Sequence, residues 1–143
     1  MQKSVNRVVA WQRRVLYASG VALLLSGAAW LAIHYGRAAD SLPSPIEAWL
    51  MRLHGLASFA ALFIFGVFAA GHIPKGWRFT YARNEAGQRS TGIALCVLAG
   101  TLALSAYLLY YFAPDSVRPA LGWLHSGLGA TMAGLLLVHR RNA

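Results

Sequence analysis

A long apolar segment in the middle of the chain runs from Leu53 to Ile73, reads LHGLASFAALFIFGVFAAGHI and contains no Asp, Glu, Lys or Arg. Three further segments of 21 to 25 residues also lack these charged residues, namely Val15–Gly36, Ser90–Pro114 and Pro119–His139. The hydrocarbon core of a bilayer is about 30 Å thick, and a helix of about 20 apolar residues spans it. Each of the four segments is therefore long enough to cross a membrane once.

A soluble bundle of four buried helices is the alternative, and the pattern of polar residues argues against it. A surface helix of a soluble bundle carries a polar face that returns about every 3.6 residues, and the four segments show none. Only 12% of the 143 residues are charged, whereas about 25% is usual in soluble domains. The sequence predicts an all-α, integral membrane four-helix bundle, a single transmembrane domain over residues 1–143 with helices at about 15–36, 46–73, 90–112 and 119–139.

The basic residues predict the orientation of the chain. With the N-terminus inside, ten of the 13 Lys and Arg residues fall in inner segments, and Arg37, Arg52 and Arg118 fall in outer ones. Because cytoplasmic segments are enriched in Lys and Arg, we expect both termini in the cytoplasm and a multi-pass protein of the bacterial inner membrane. Attraction to anionic lipid accounts for the net charge of +9, so a nucleic-acid partner is not expected.

Local signals predict several helix ends. Ser44-Pro45-Ile46-Glu47 is typical of a capping box with Pro at the first helical position. Pro74 is expected to stop the second helix just after His72, and Pro119 suits the first turn of the fourth. The basic and aromatic segment from Pro74 to Arg89 is expected to be an inner loop. The first apolar segment is too long for a signal-peptide core of about 7–15 residues, so we expect it to be retained.

The residues that can carry chemistry are the five histidines, His34, His54, His72, His125 and His139. Ionisable side chains at membrane depth are costly and point to function. The second and fourth helices are predicted to run parallel, from outside to inside. At 100° per residue, His54 and His72 are five turns apart, and His139 returns to within about 40° of the face of His125. Each helix is thus expected to present one histidine at an outer level and one at an inner level.

Two histidines at each level favour haem over a bare metal ion. A Zn or Cu site needs three or four protein ligands, whereas the iron of a porphyrin needs only axial ones. Covalent attachment requires a Cys-x-x-Cys-His motif, and Cys96 is the only cysteine. The sequence therefore predicts two non-covalent haem b groups, the outer one held by His54 and His125 and the inner one by His72 and His139.

In these histidines the chain resembles the small four-helix transmembrane di-haem cytochrome b type electron-transfer subunits of bacteria. It is also similar to the haem core of the cytochrome b of quinol–cytochrome c reductase, whose second and fourth helices each supply two ligands. The matching stretches are His54-Gly55-Leu56 through Gly71-His72-Ile73-Pro74, and Leu124-His125-Ser126-Gly127 through Val138-His139-Arg140. The resemblance implies a subunit of an oxidoreductase complex that relays electrons between the quinone pool and a redox partner protein or other subunits.

The spacing of the histidines leaves alternatives open. Separations of 18 and 14 residues correspond to about 27 Å and 21 Å, a mismatch of one turn. Helix tilts of about 20–40° and different tilts of the haem rings can compensate for this difference in length. Otherwise one level uses another ligand, and His34 is then the alternative ligand, which we call the reserve ligand. Five arginines are candidates either for haem propionates or for plain interface anchoring, namely Arg52, Arg78, Arg89, Arg118 and Arg140.

Two other functions compete with electron transfer. A haem-free membrane anchor or assembly subunit would place its histidines at the interface as ordinary polar side chains. A small metal or proton-coupled carrier is disfavoured, because the four apolar segments contain no Asp or Glu.

Overall fold

The computed structural model of the protein describes residues 8–38 and 40–141, and in this part of the chain every regular element is an α-helix. The helices are α1 (Ala10–Gly36), α2 (Pro45–Ala70), α3 (His72–Ala82), α4 (Ala86–Tyr111) and α5 (Arg118–Arg141). All but α3 are long and apolar enough to cross a membrane. The predicted all-α class and the four candidate membrane spans are confirmed.

The chain divides into two compact units between Lys75 and Gly76. In the first unit α1 packs against α2, and in the second unit α4 packs against α5, so each unit contains one helical hairpin. Few apolar side chains are buried in these hairpins, although Ile64 is fully enclosed. Large side chains such as Phe59, which is 74% exposed, lie on the surface instead. Apolar surfaces of this extent are typical of membrane or protein contact.

All four long helices extend beyond the apolar segments from which they were predicted, and α2 does so because it begins at Pro45. Helix α1 begins at Ala10, α4 begins at Ala86, and α5 continues to Arg141. A charge-free segment marks the part of a helix that is suited to lipid, and not the helix itself. Arg and Gln are good helix formers, and their long side chains keep a charged or polar end in water while the stem lies along apolar surface.

The capping box at the start of α2 is confirmed. Ser44 is the N-cap, and its side chain accepts a hydrogen bond from the backbone N–H of Ile46 at 3.3 Å. Glu47 returns the contact by accepting from the backbone N–H of Ser44 at 3.1 Å. Pro45 occupies the first helical position, where its missing N–H costs nothing.

Helix α2 ends at Ala70, three residues before the predicted boundary, and His72 begins α3. Proline has no N–H, and its ring clashes with the carbonyl four residues earlier, which for Pro74 is that of Ala70. The last hydrogen bond at this end of α2 runs from the N–H of Gly71 to the carbonyl of Val67 at 3.1 Å. Because His54 and His72 lie on different helices, the five-turn register predicted between them does not apply.

The segment that was expected to be an inner loop contains α3. Ile73, Trp77 and Tyr81 fall on one side of this helix, and Lys75 and Arg78 fall on the other. The pattern is regular, but it lasts only 11 residues. The Pro and Gly residues within the segment carry the poorest helix propensities, so the sequence favoured a loop.

The turn that follows α3 is a Schellman motif. The N–H of Glu85 donates to the carbonyl of Thr80 at 2.9 Å, and that of Asn84 donates to Tyr81 at 3.2 Å. Asn84 has φ 55°, the left-handed conformation that Asn tolerates better than most residues. The connection to α4 is therefore a tight turn with its own hydrogen bonds.

Candidate functional site

His54 of α2 is held by a hydroxyl of α1. Its Nδ1 lies 2.9 Å from the Oγ of Ser26, a residue only 2% exposed. The same hydroxyl donates its proton to the carbonyl of Ala22 at 2.6 Å. Since a hydroxyl has one proton, the Ser26 oxygen acts as acceptor and Nδ1–H of His54 as donor. This tautomer carries the lone pair on Nε2, the nitrogen through which a histidine ligates a metal when Nδ1 carries the proton.

His125 of α5 has the same arrangement with α4. Its Nδ1 lies 2.8 Å from the Oγ of Ser105, and this hydroxyl donates to the carbonyl of Leu102 at 3.0 Å. Ser105 is buried, so the bond is made away from water. The proton is again placed on Nδ1 and the lone pair on Nε2.

His139, near the other end of α5, repeats the arrangement a second time. Its Nδ1 lies 2.8 Å from the Oγ1 of Thr91 on α4. The Thr91 hydroxyl donates to the carbonyls of Gln88 at 3.0 Å and Gly87 at 3.2 Å. Both histidines predicted on this helix are thus oriented by α4.

A small residue follows each of these three hydroxyl residues, and we refer to the dipeptides Ser26-Gly27, Thr91-Gly92 and Ser105-Ala106 as the hydroxyl-small pairs. A Cβ at position 27 would lie 3.4 Å from Cε1 of His54, and one at position 92 would lie 3.6 Å from Cε1 of His139. An added Cβ at either glycine would make only ordinary van der Waals contact with the imidazole, so the feature that orients each histidine is the hydroxyl that binds its Nδ1.

The hydroxyl-small pairs fit the requirements of a metal-ligating histidine. Such a histidine nearly always donates its other ring N–H to a neighbouring acceptor, which fixes its tautomer and ring orientation. Sequence reasoning missed the hydroxyl residues Ser26, Thr91 and Ser105, because Ser and Thr are common in membrane helices. The signal that could have found them is a hydroxyl residue next to a small residue on the helix before each histidine.

The structure gives His72 a different setting. It is the first residue of α3, and its ring lies 5.7 Å from that of Phe68 between centroids, with an angle of 55° between the planes. Of the four predicted ligands, His54 and His72 fall in the first unit, and His125 and His139 fall in the second. The last two share one helix, at an axial separation of about 21 Å.

His34, the reserve ligand, belongs to a polar cluster at the end of the first hairpin. Its Nδ1 lies 3.0 Å from Oε2 of Glu47, and its ring stacks on that of Trp30 at 4.3 Å. The second oxygen of Glu47 accepts from a guanidinium N–H of Arg37 at 3.0 Å and from the backbone N–H of Ser44. Sequence reasoning identified Glu47 only as a capping residue and missed its contacts with α1.

Three of the arginines considered for haem propionates have local contacts. Arg52 lies over the ring of Trp49 at 4.8 Å, and Arg89 lies over that of Tyr81 at 5.7 Å. Arg118 donates to the carbonyl of Ala113 at 2.8 Å. These contacts agree with interface anchoring and leave a role toward propionates as a prediction.

Across the described residues, no three His, Cys, Asp or Glu side chains are grouped as a protein-only metal site would need. No known protein family, curated protein or solved structure matches this chain significantly. The candidate site is therefore defined by the histidines and the hydroxyl groups that orient them.

Proposed function

We propose that this chain is a b-type haem protein of the bacterial inner membrane that relays electrons between the quinone pool and a redox partner. The observation that carries the proposal is the hydroxyl-small pair behind each of three histidines, His54, His125 and His139. In all three, Nδ1 is bonded in a way that leaves the ligating lone pair on Nε2. Three repeats of one geometry support a shared chemical task.

We assign the roles of the residues from the pairing that the sequence predicts, and the hydroxyl contacts support the part of three of the four histidines. His54 and His125 would hold the outer haem, and His72 and His139 would hold the inner haem, as the sequence pairs them. When bound, each haem supplies an iron that changes its charge by one electron. The imidazoles would bind this iron, the hydroxyls of Ser26, Ser105 and Thr91 hold the imidazoles, and the apolar helices would exclude water.

The protein purified from haem-replete cells is expected to contain about two non-covalent haems per chain. Acid–acetone should extract them completely, because the chain has a single cysteine and no motif for covalent attachment. A pyridine haemochrome assay, together with the protein concentration, gives the stoichiometry. A colourless preparation with full helical content would contradict the proposal and favour the haem-free anchor.

The proposed orientation places both termini in the cytoplasm, as the ten-to-three distribution of basic residues indicates. A reporter fused after Ala143, which lies outside the described residues, should be active on the cytoplasmic side. A tag inserted between Asp40 and Ser41 should be accessible from outside intact cells. A tag in the turn at Asn84, as the control, should be accessible only after the membrane is opened. The reverse labelling pattern would overturn the orientation.

A further inference from the structure

Helix α3 is joined to a candidate membrane span at each end. Gly71 connects it to α2, and residues 83–85 connect it to α4. Its 11 residues give a length of about 16 Å, which is about half the thickness of a bilayer core. The helix is therefore too short to cross a membrane, and its short connections keep it at the surface of the membrane in which its neighbours lie.

The aromatic side of α3 is exposed. The helix pairs that pack together are α1 with α2 and α4 with α5, and α3 belongs to neither pair. Trp77 is 50% exposed and Tyr81 is 72% exposed, and their spacing of four residues places them on the same side of the helix. Trp and Tyr combine an apolar ring with a polar end, and both are enriched where a membrane meets water.

Three arginines lie close to these rings. Arg78 is exposed beside the aromatic side of α3. Arg83 lies over the ring of Phe79 at 4.4 Å, and Arg89 lies over that of Tyr81 at 5.7 Å. Such cation–π contacts hold two of the three guanidinium groups against the helix. In the part of the chain that the structure describes, none of the three forms an ion pair, so their charges are uncompensated.

The Schellman motif after α3 keeps the arginines near the aromatic residues. Its two backbone hydrogen bonds, at 2.9 Å and 3.2 Å, close the turn between α3 and the first turn of α4. We refer to Trp77, Arg78, Tyr81, Arg83 and Arg89 as the α3 platform, and all five residues lie in the second unit. The platform thus combines exposed rings and guanidinium groups within one short, hydrogen-bonded segment.

From this geometry we infer that the α3 platform binds the headgroup region of a membrane that contains anionic phospholipid. A short amphipathic helix with basic residues on its polar side lies in the plane of the interface, with its apolar side buried by about 5–10 Å. Trp77 and Tyr81 would occupy this depth. The guanidinium groups would donate to lipid phosphates, whose oxygens they match in a bidentate fashion.

This inference assigns the contact with anionic lipid to one helix and three arginines, beyond the general attraction of a basic chain. It rests on the proposed location of the chain in a membrane, and it is independent of haem. Residues 74–89 contain four basic residues and one acidic residue, Glu85, so their charge favours anionic headgroups over neutral ones.

The combination of rings and charges favours a lipid surface over an acidic soluble protein. A bilayer offers phosphate groups directly above acyl chains, so it satisfies both parts of the platform at once. An acidic protein surface would pair with the arginines and leave the exposed rings of Trp77 and Tyr81 in water. The connections of α3 to α2 and α4 also hold the platform beside the bilayer, which raises the effective concentration of lipid around it.

The depth of α3 is measured on the full chain in lipid vesicles. Cys96 is replaced with alanine, and a bimane label is attached to a single cysteine introduced as Trp77→Cys, Ala82→Cys or Val97→Cys. Position 82 lies about 140° from position 77 around α3. Val97, which is 62% exposed in the middle of α4, is the control for a membrane span. We expect brominated acyl chains to quench positions 77 and 97 about twofold more than position 82, and aqueous iodide to quench position 82 most.

The lipid class is tested with the label at position 77, where the apolar bimane replaces the indole. Bromine is placed on phosphatidylglycerol or on phosphatidylcholine at equal mole fraction, and the ratio of quenching gives the preference. We expect wild-type arginines to favour phosphatidylglycerol, and Arg78→Gln to lower this preference about fivefold. Adding Arg83→Gln should lower it further, while Arg78→Lys should retain most of it. Arg14→Gln is the matched control, because it removes an exposed arginine from α1, and it should match wild type.

Three results would overturn the inference. Equal quenching of positions 77 and 82 by iodide would place the platform in water, as a surface for a soluble partner. Equal quenching by the two brominated lipids, or an unchanged preference in the double variant, would remove the role of the arginines. The proposed function fails differently, because a chain whose position 97 is not quenched by lipid does not span the membrane. A haem-free protein with the expected quenching at position 77 would overturn the proposed function alone.

Discussion

Replacing His54 with alanine is expected to remove about one of the two haems, and replacing His125 should remove the same one. The two imidazoles are predicted to bind one iron, and ligands that act as a unit give losses that do not add. The double variant His54→Ala, His125→Ala should therefore keep nearly as much haem as either single variant. The haem content of the three proteins by pyridine haemochrome, together with the low-spin fraction by absorbance, checks the expectation.

The inner pair provides the comparison. His72→Ala and His139→Ala should each remove the other haem, and His54→Ala combined with His72→Ala should empty both sites. Since His72 begins α3 and does not continue α2, its assignment depends most on this experiment. If His72→Ala keeps two low-spin haems while His34→Ala loses one, the assignment of His72 is wrong, and His34 is a haem ligand in its place.

Removing a hydroxyl that orients a histidine is expected to have the second largest effect. Ser26→Ala and Ser105→Ala should each lower the affinity for one haem by about 10- to 100-fold, as is typical for the outer partners of metal ligands. The imidazole also becomes less basic when Nδ1–H loses its acceptor, so ferric iron is stabilised less. The midpoint potential of the remaining haem at that site should rise, which a redox titration measures.

Ser19 provides a matched control for Ser26. It is also buried on α1, and its hydroxyl donates to the backbone carbonyl of Val15 at 2.8 Å. Ser19→Ala should leave both haems and both potentials unchanged, while Ser26→Thr should restore the wild-type potential because the hydroxyl returns. Equal potentials in Ser26→Ala and wild type would show that Ser26 has a packing role only.

The features that were predicted from the sequence depend on residues that are close together in the chain. The capping box at Ser44 depends on four consecutive positions, and the effect of Pro74 depends on a ring and a carbonyl four residues apart. The alternation of apolar segments and basic connections was sufficient to identify four candidate membrane spans. Interactions between residues that are close in sequence can be predicted without a structure.

The features that sequence reasoning missed depend on the register between two helices. Nothing in the sequence places Ser26 opposite His54, because their contact depends on the register in which α1 packs along α2. Glu47 was fully explained by its capping role, so its second contact with His34 was not sought. Helix α3 was missed for a different reason, since its Pro and Gly residues outweighed a short amphipathic pattern.

Every hydroxyl–imidazole bond described here joins two helices of the same hairpin, and this has a consequence for the order of assembly. A side chain that must be immobilised when its cofactor arrives weakens binding by the conformational entropy that it loses. Here each imidazole is already immobilised when its hairpin forms, before any porphyrin enters. Three of the four proposed ligands are therefore preorganised within their hairpins, and we expect cofactor insertion to be the last step, after both hairpins have reached the membrane.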